Sequence, residues 1–584
     1  MSTINSANVQ VGQSNTPANN ITLSTSNDGD LVVSKGSSGA LTEITRIKNN
    51  GEIDASKVGY TPAGTGAVAT TVQSKLRERV SVLDFGAVGD GVTDDTAAIQ
   101  AAVNAVANTK KRLFAPDGDY LIGGITISGS VWLDGAGKDV SRFVAKSGIG
   151  TSNMFYASAV DGITITNCGF DMRNDAISGT RLNAYLENIF CFVSCSNVYI
   201  EKNDFTKAIN YTIIFNASSG DECENVYIRD NNFSNGARGA VILARYGRNF
   251  HVTGNRMTNV CNQTFSGIDF DKSISLSGVI GAWIEDNYVD QTIAGGGTII
   301  VEYADRQSEK VTIKNNVIIG LADNSIKAGA SVDVRIIGNS CLNSNAVGIY
   351  IEGCKDTIID GNYIEGSAVN AIRVYEDAQT ARTNSNITII NNILKNSNVG
   401  AATLGVPGGV SGSDDSYHLA CRQTQYIYIR NNVFIDDSTS TAGGIWMQGQ
   451  QYYIEGNNFL QLKSVAATLY NTNTTIGSAY NIENNAGMQT TASGSAVILN
   501  GTNNISVPDT GTVIEATNGR VLVTPNQSLS GTAVYCFGTT GVPPAITLFT
   551  RTSAHGNANM TVDTSFTWSY SVKDAIGVFG KTAK

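Results

Sequence analysis

Proline is scarce in this chain, 8 in 584 residues, and charged residues make up only 15 % of it. Disordered and linker-like chains are normally rich in both, so the deficit points to an extensively ordered fold. Positive charge is also short: the formal net charge is −10, which excludes the basic face that a nucleic-acid partner requires. No apolar run is long enough to cross a bilayer, and residues 1–8 lack the positive flank and apolar core of a secretory signal. The expectation is synthesis in a cytoplasm, no membrane insertion, and a carrier other than a signal peptide if the protein works outside a cell. Cys-x-x-Cys spacing is missing from the nine cysteines, so neither a metal site nor a disulfide framework is expected. Several, such as Cys191 and Cys195, occupy apolar pattern positions and read as small buried thiols.

What the chain has in abundance is Gly (61) and Asn, the composition of a turn-rich β protein. One phrase recurs from about 163 to 486: a short alternating strand, then Asn, a variable residue and usually an apolar one. Examples are Val-Tyr-Ile-Glu-Lys-Asn203 and Trp-Ile-Glu-Asp-Asn287, and the series continues through Asn231, Asn255, Asn316, Asn339, Asn362, Asn392, Asn432, Asn457 and Asn485. Successive members lie 23 to 40 residues apart. A period in that range marks one supersecondary unit stacked on copies of itself. The apolar positions alternate (Val198, Ile200; Val311, Ile313), so the unit is made of strands, and the expected fold is all-β: a right-handed parallel β-helix. Asn suits the corner between strands because it tolerates a left-handed backbone, and stacked corner residues form a structural ladder. Cys168 takes the Asn position of an early coil.

In chain order, residues 1–60 read as a small separate β module and 61–79 as a linker and short helical neck. The stretch Val80-Ser-Val-Leu-Asp84-Phe-Gly-Ala-Val-Gly-Asp90-Gly-Val-Thr93-Asp94-Asp95-Thr-Ala-Ala-Ile99 follows. Thr93 is a natural helix N-cap, Asp94 and Asp95 complement the dipole of a first turn, and Ile99, Ala102, Val103 and Val106 make an apolar stripe. This predicts a helix at about 94–107 that plugs the open end of the stack, as a solenoid requires. After 490 strands persist without the Asn phrase, so 490–584 reads as a further β module for trimerisation or glycan binding. The phrase at 80–100, preceded by Pro-Ala-Gly-Thr-Gly and Ser-Lys-Leu-Arg-Glu, resembles the opening motif of the pectate-lyase-like β-helix superfamily. It is similar in particular to bacteriophage tailspikes and capsular depolymerases. The resemblance covers about residues 60–130 locally and extends to 486 by coil pattern. It implies a homotrimer carried on the virion tail, an N-terminal module bound to phage tail or baseplate proteins, and a surface that cuts or binds a bacterial surface polysaccharide. Asp90, Asp94 and Asp95 lie in the shared motif, and each has a local capping or turn-forming job.

Each coil carries a second strand some 11 to 15 residues after its Asn. Its period-2 pattern turns Ile268, Phe270, Ile349, Ile351, Ile372, Val374, Ile445 and Met447 inward. That leaves Asp269, Asp271, Glu302, Lys327, Tyr350, Glu352, Arg373, Tyr375, Trp446 and Gln448 on one outer sheet. Carboxylates, guanidinium and aromatic rings together are what a saccharide groove needs. Glycoside hydrolysis takes two carboxyl groups, and the count of coils places Asp269 beside Glu302, with Asp305 at the strand end. The expected catalytic set is therefore Asp269, Glu302 and Asp305. Asp271, Lys327, Tyr350, Glu352, Arg373, Tyr375 and Trp446 are the expected substrate-binding residues, Asp271 and Glu352 being reserves for the acid pair, and no cofactor or metal is called for. A polysaccharide lyase would instead draw on Lys327, Tyr350, Arg373 and Tyr375, with His418 beside the insertion at 400–417 as a further base; His251 reads as structural. A non-cleaving adhesin would show the carboxylates paired to Lys or Arg. An O-deacetylase lacks any Gly-x-Ser-x-Gly elbow.

Overall fold

The computed structural model describes residues 8–11, 21–36, 41–146, 153–173, 188–236, 241–260, 272–291, 299–320, 324–377, 382–397, 417–437 and 443–460, with short stretches after 460. It is a parallel β-helix. Each coil lays down a strand on the first side, such as Ile299–Glu302, then one on the second, Glu309–Lys314, then, past Asn316, one on the third, Val317–Gly320. The third side forms a 14-stranded sheet running from Asp90–Asp94 to Asn458–Leu460. The first two sides share one 26-stranded arrangement. They join because four coils pass between them without a break, in Ile242–Thr253, Ile274–Glu285, Tyr417–Arg430 and Gly443–Glu455.

One core fills the tube from Val82 to Phe459. Because register is kept from coil to coil, like side chains stack on like. Phe143, Phe170, Phe205 and Phe233 are register partners on the third side, with successive ring centroids 5.5, 5.1 and 4.9 Å apart.

The Asn ladder is present and buried. Asn339 is representative: its backbone N–H and its amide both donate to Asn362 Oδ1 at 2.9 Å, and the amide also donates to Ile313 O on the preceding coil. The same pattern repeats to Asn485. At the other end Cys168 N–H donates to Asn203 Oδ1, so Cys168 does take the ladder position. The backbone differs from expectation in one respect. The left-handed residue is the one before each ladder Asn, for example Lys202 (φ 57), Asp230 (φ 54), Gly338 (φ 63) and Asn391 (φ 57). The ladder Asn is selected for its amide, and the turn for the neighbour that tolerates positive φ.

The plugging helix spans Thr96–Val106, and Ile99, Ala102, Val103 and Val106 are buried in the core as their spacing predicted. It begins later than expected. Thr93 lies in the strand Asp90–Asp94 and does not cap it. Asp95 occupies the N-cap position, but its carboxylate points back to accept from Val88 and Gly89 N–H at 2.6 and 3.0 Å. Asp90 accepts from Val92 and Thr93 N–H. Asp94 accepts from Thr96 and pairs with Lys146 Nζ at 2.9 Å, and these partners pull its pKa down to about 2. All three aspartates are thus engaged structurally.

Asp134 ties this end together. Its Oδ2 accepts from Arg79 and Arg112, at 3.2 and 3.3 Å, and its Oδ1 accepts from Thr166 and Asn167. The two guanidinium groups lie over Phe114 and Trp132. Asp134→Ala frees four donors, all of them at least partly exposed, and is expected to cost about 1–3 kcal/mol. Limited proteolysis near residue 79, compared with thermal melting of the whole chain, measures that local loss.

N-terminal to the solenoid, Asn8–Val11, Ile21–Thr25, Leu31–Lys35 and Thr42–Ile47 form a four-stranded antiparallel sheet in chain order. Past 489, parallel pairing continues through Val497–Asn500 and Leu522–Thr524. Antiparallel pairing takes over with Val534–Tyr535 against Val578–Phe579.

Candidate functional site

The outer surface of the first side carries most of the residues singled out by the sequence. Register aligns Ile300, Lys327, Tyr350, Arg373, Ala420 and Trp446 in one outward column. The next outward column runs Ser277, Glu302, Gly329, Glu352, Tyr375. The residue beside Glu302 on the preceding coil is therefore Ser277, not Asp269, because Ile274–Ser277 is the strand that pairs with Ile299–Glu302. The expected rung pair is not made there. Asp269 and Asp271 themselves lie outside the described residues, as does the insertion at 400–416.

Lys327 is the centre of the group. Its Nζ lies 3.6 Å from Glu302 Oε1 and 3.0 Å from Glu352 Oε2. The two carboxylates stand two coils apart in their column with Gly329 between them, where a Cβ would lie in ordinary contact with Glu302 Cγ at 3.8 Å and Lys327 Cε at 3.9 Å. Since one Nζ reaches both, their nearest oxygens are separated by no more than the two legs of 3.6 and 3.0 Å combined. Lys272 also approaches Glu302, at 3.7 Å, and Tyr350 Oη donates to Glu352 at 3.3 Å. Burial acts to lower the Lys327 pKa, but Glu352 and Glu302 outweigh it and hold the ammonium above its ordinary value. Burial, with Glu352 adding to it, pushes the Tyr350 phenol upward too.

Beyond Tyr350 comes a cationic aromatic group. The Tyr375 ring lies 6.3 Å from that of Tyr350, edge to face. Arg373 and Arg422 both sit against it, at 4.8 and 4.7 Å from its centroid. Two expected surface residues are buried here: Arg373 is 4 % exposed and Trp446 6 %. Arg373 donates to Asn370 Oδ1 at 2.7 Å, and Trp446 packs with Tyr417 and Ala420. Period 2 gives the side of the sheet and does not reveal what packs over it. The accessible part of the stripe is thus Glu302, Lys327, Tyr350, Glu352 and Tyr375.

Asp305 is engaged with a residue of an earlier coil. It is bonded to Tyr246 Oη, which in turn accepts from Asp305 N–H at 3.3 Å. Next to it Arg306 reaches Glu222 and Gly278 O, and Glu222 also holds Arg248. The turn after Glu302 is thereby tied to three earlier coils, a network invisible in the sequence because its members lie up to 84 residues apart. Gly329 was legible: aligning Ser325-Ile-Lys-Ala-Gly329 with Ile299–Glu302 puts glycine in the glutamate's place.

The two histidines among the described residues are structural, and His555 lies outside those residues. His251 stacks between Tyr227 and Trp283, at 4.7 and 4.5 Å. His418, expected as a base on the outer face, instead points into the core, fully buried, with Nδ1 3.1 Å from Ser397 Oγ. Burial drives its pKa down to about 3. Between that value and the unfolded one of about 6.5, only the unfolded chain binds this proton, so stability is lost as pH falls across the window, by about 1.4 kcal/mol per unit. His418→Phe is expected to reduce the pH dependence of unfolding by one proton, as read from denaturation midpoints between pH 4 and 7. The seven cysteines among the described residues are all free and buried, and no cluster of three or more metal-ligating side chains occurs among those residues.

The fold is thus a stacked parallel solenoid with a plugging helix and a carboxylate, lysine and tyrosine stripe on its outer face. The profile of the rhamnogalacturonase A/epimerase, pectate-lyase-like family matches residues 79–402, more than half of the chain, and the chain belongs to that family. It is 38 % identical over 122 residues to the tail spike protein of Shigella phage Sf6, covering 20 % of this chain and 19 % of that one. It is also 33 % identical over 117 residues to the mannuronan C5-epimerase AlgE5 of Azotobacter vinelandii, covering 18 % and 11 %. The chain thus spans less than a fifth of the length of either relative. Among solved structures, the pre-mature gene product 12 of bacteriophage phi29 superposes with a TM-score of 0.44 at 14 % identity, over 88 % of this chain and 83 % of that one.

Proposed function

We propose that this protein is a phage tail component that binds and cleaves a bacterial surface polysaccharide, acting as an endo-glycosidase on the outer face of its first side. The observation that carries the reading is the pair Glu302 and Glu352, two carboxylates in one outward column that share the Lys327 ammonium. The shared ammonium keeps their nearest oxygens within the two legs of 3.6 and 3.0 Å, a bound that accommodates the separation of about 5–5.5 Å used in retention. Tyr350 and Tyr375 offer rings for sugar faces, and the partly exposed Arg422 guanidinium suits an acidic sugar, whereas buried Arg373 and Trp446 back the face without offering it a contact. Asp269 and Asp305 remain candidates for the second carboxyl, and Asp271 for glycan contact. The similarity to the Sf6 tail spike supports a place on the virion tail; assembly as a homotrimer and attachment to tail or baseplate proteins through residues 1–60 are part of the same proposal.

A β-elimination mechanism has weaker support, because its obvious bases, Lys327 and Tyr350, are both shifted toward their protonated forms. Recognition without cleavage is the second reading, favoured by the ion pairs that occupy Glu302 and Glu352. The test is to incubate the full chain with capsular or lipopolysaccharide glycan and follow reducing ends together with absorbance near 235 nm, where unsaturated uronates absorb. Hydrolysis raises the first alone, elimination raises both, and a glycan that binds with neither signal supports the adhesin.

A further inference from the structure

Between Glu302 and Glu352 stands a glycine that the backbone does not ask for. Gly329 ends the strand Ile326–Gly329 without a left-handed φ. The left-handed corner falls on the next residue. In the coils of Ser277 and Glu352 that corner is glycine, Gly278 and Gly353, both at φ 62; after Gly329 it is Ala330, at φ 44. Crowding does not call for glycine either. Gly329 is buried, yet Glu302 Cγ and Lys327 Cε stand 3.8 and 3.9 Å from the place a Cβ would take, ordinary contacts that leave room for one. Glycine inside a strand weakens it, and where neither φ nor packing requires it, the remaining reason is the close approach of a ligand.

The third side shows the same ion pairs made without an empty rung. Lys395 pairs there with Glu365 at 3.1 Å and Asp437 at 3.3 Å, and Tyr363 Oη donates to Glu365 as Tyr350 Oη does to Glu352. The lysine itself occupies the rung beside Glu365. On the first side it is set two residues back along its strand, at 327, and the rung between the carboxylates carries no side chain. Sharing an ammonium between two carboxylates therefore does not explain Gly329. We propose that Gly329 is a specificity-determining residue: the missing side chain lets one sugar unit of the glycan settle between Glu302 and Glu352 and offer an oxygen to Lys327. An ammonium has three N–H donors, one more than the two carboxylates face. This rests on the polysaccharide-binding reading of the face and adds to it where the sugar sits.

The test uses the full chain and surface glycan from a susceptible bacterium, with affinity, reducing-end release and thermal melting measured for Gly329→Ala, Gly329→Val and Gly329→Leu. Melting is expected to hold or rise in the Ala and Val variants, because at an ordinary φ a side chain suits a strand better than glycine. Affinity and cleavage are expected to fall stepwise with side-chain size, reaching about 10²-fold at Leu, the loss that a misplacement of about 1 Å brings. Ser340→Val, on an outward rung of the third side, is expected to change neither. In a Lys327→Ala background the step from Gly329 to Leu is expected to lower affinity further; no further loss would mean that the glycine serves only the lysine, and overturns the inference. Parent-like affinity in Gly329→Leu, or a lower melting temperature in Gly329→Ala, overturns it too. A parent chain that binds the glycan without cleaving it removes the hydrolase reading alone, and the affinity series still decides the inference; a parent chain that binds no glycan removes both.

Discussion

Replacing Glu302 by glutamine is expected to lower polysaccharide cleavage by about 10²- to 10⁴-fold, the range over which a proton-transferring carboxyl contributes. The amide keeps the shape and one oxygen facing Lys327 and Lys272, so glycan binding should fall far less than turnover. Glu352→Gln is expected to act similarly, with an added loss because Tyr350 donates to that carboxylate. If the two act as one acid/base unit, the double variant is scarcely worse than either single one, since groups that work together are strongly non-additive. Initial rates of reducing-end release, normalised to glycan affinity, check all three. Full activity in both single variants would remove this pair from the chemistry and direct attention to Asp269 and Asp305.

The largest stability effect is expected from the ladder. Asn339→Leu deletes the acceptor for the Asn316 backbone N–H and amide, both at 2.9 Å, and the donor to Ile313 O. Asn339 is 0 % exposed, so water does not replace these partners. Each buried orphan costs about 1–3 kcal/mol, which sums to a loss of at least about 2 kcal/mol even if one group finds another partner. Denaturant unfolding, followed by amide protection in the coils on either side, measures it. A loss under about 1 kcal/mol would mean that the ladder is dispensable.

The sequence revealed the solenoid because its determinants are local and repeated: alternation within each strand, the corner Asn, and a helix stripe at 99, 102, 103 and 106. Even Cys168 was found at its ladder position from spacing alone. The errors came where geometry depends on a neighbour several coils away. Thr93 looked like an N-cap because the hydrogen bonds from Val88 and Gly89 to Asp95, which delay the helix, are not written in the local pattern. Asp269 was set beside Glu302 by counting coils. The register offers Ser277 instead, because the strand that pairs with Ile299–Glu302 begins at Ile274. Arg373 and Trp446 were read as exposed from period 2, which distinguishes the inside of the tube from the outside and is silent about what covers the outside. His418 has the same origin: the residue after a long insertion looked like a loop base and proved to be the opening of an inward-facing strand.

The claim on which the account turns is that glycan lies along the outer face of the first side, over Glu302, Lys327, Tyr350 and Glu352. The direct measurement is the crystal structure of the Glu352→Gln variant soaked with oligosaccharides released from a susceptible bacterial glycan. The account predicts saccharide density crossing Lys327 with a sugar ring against Tyr350 or Tyr375 and a glycosidic oxygen within hydrogen-bonding distance of Glu302. Ordered saccharide on the second or third side, with the Lys327 ion pairs undisturbed, would contradict it.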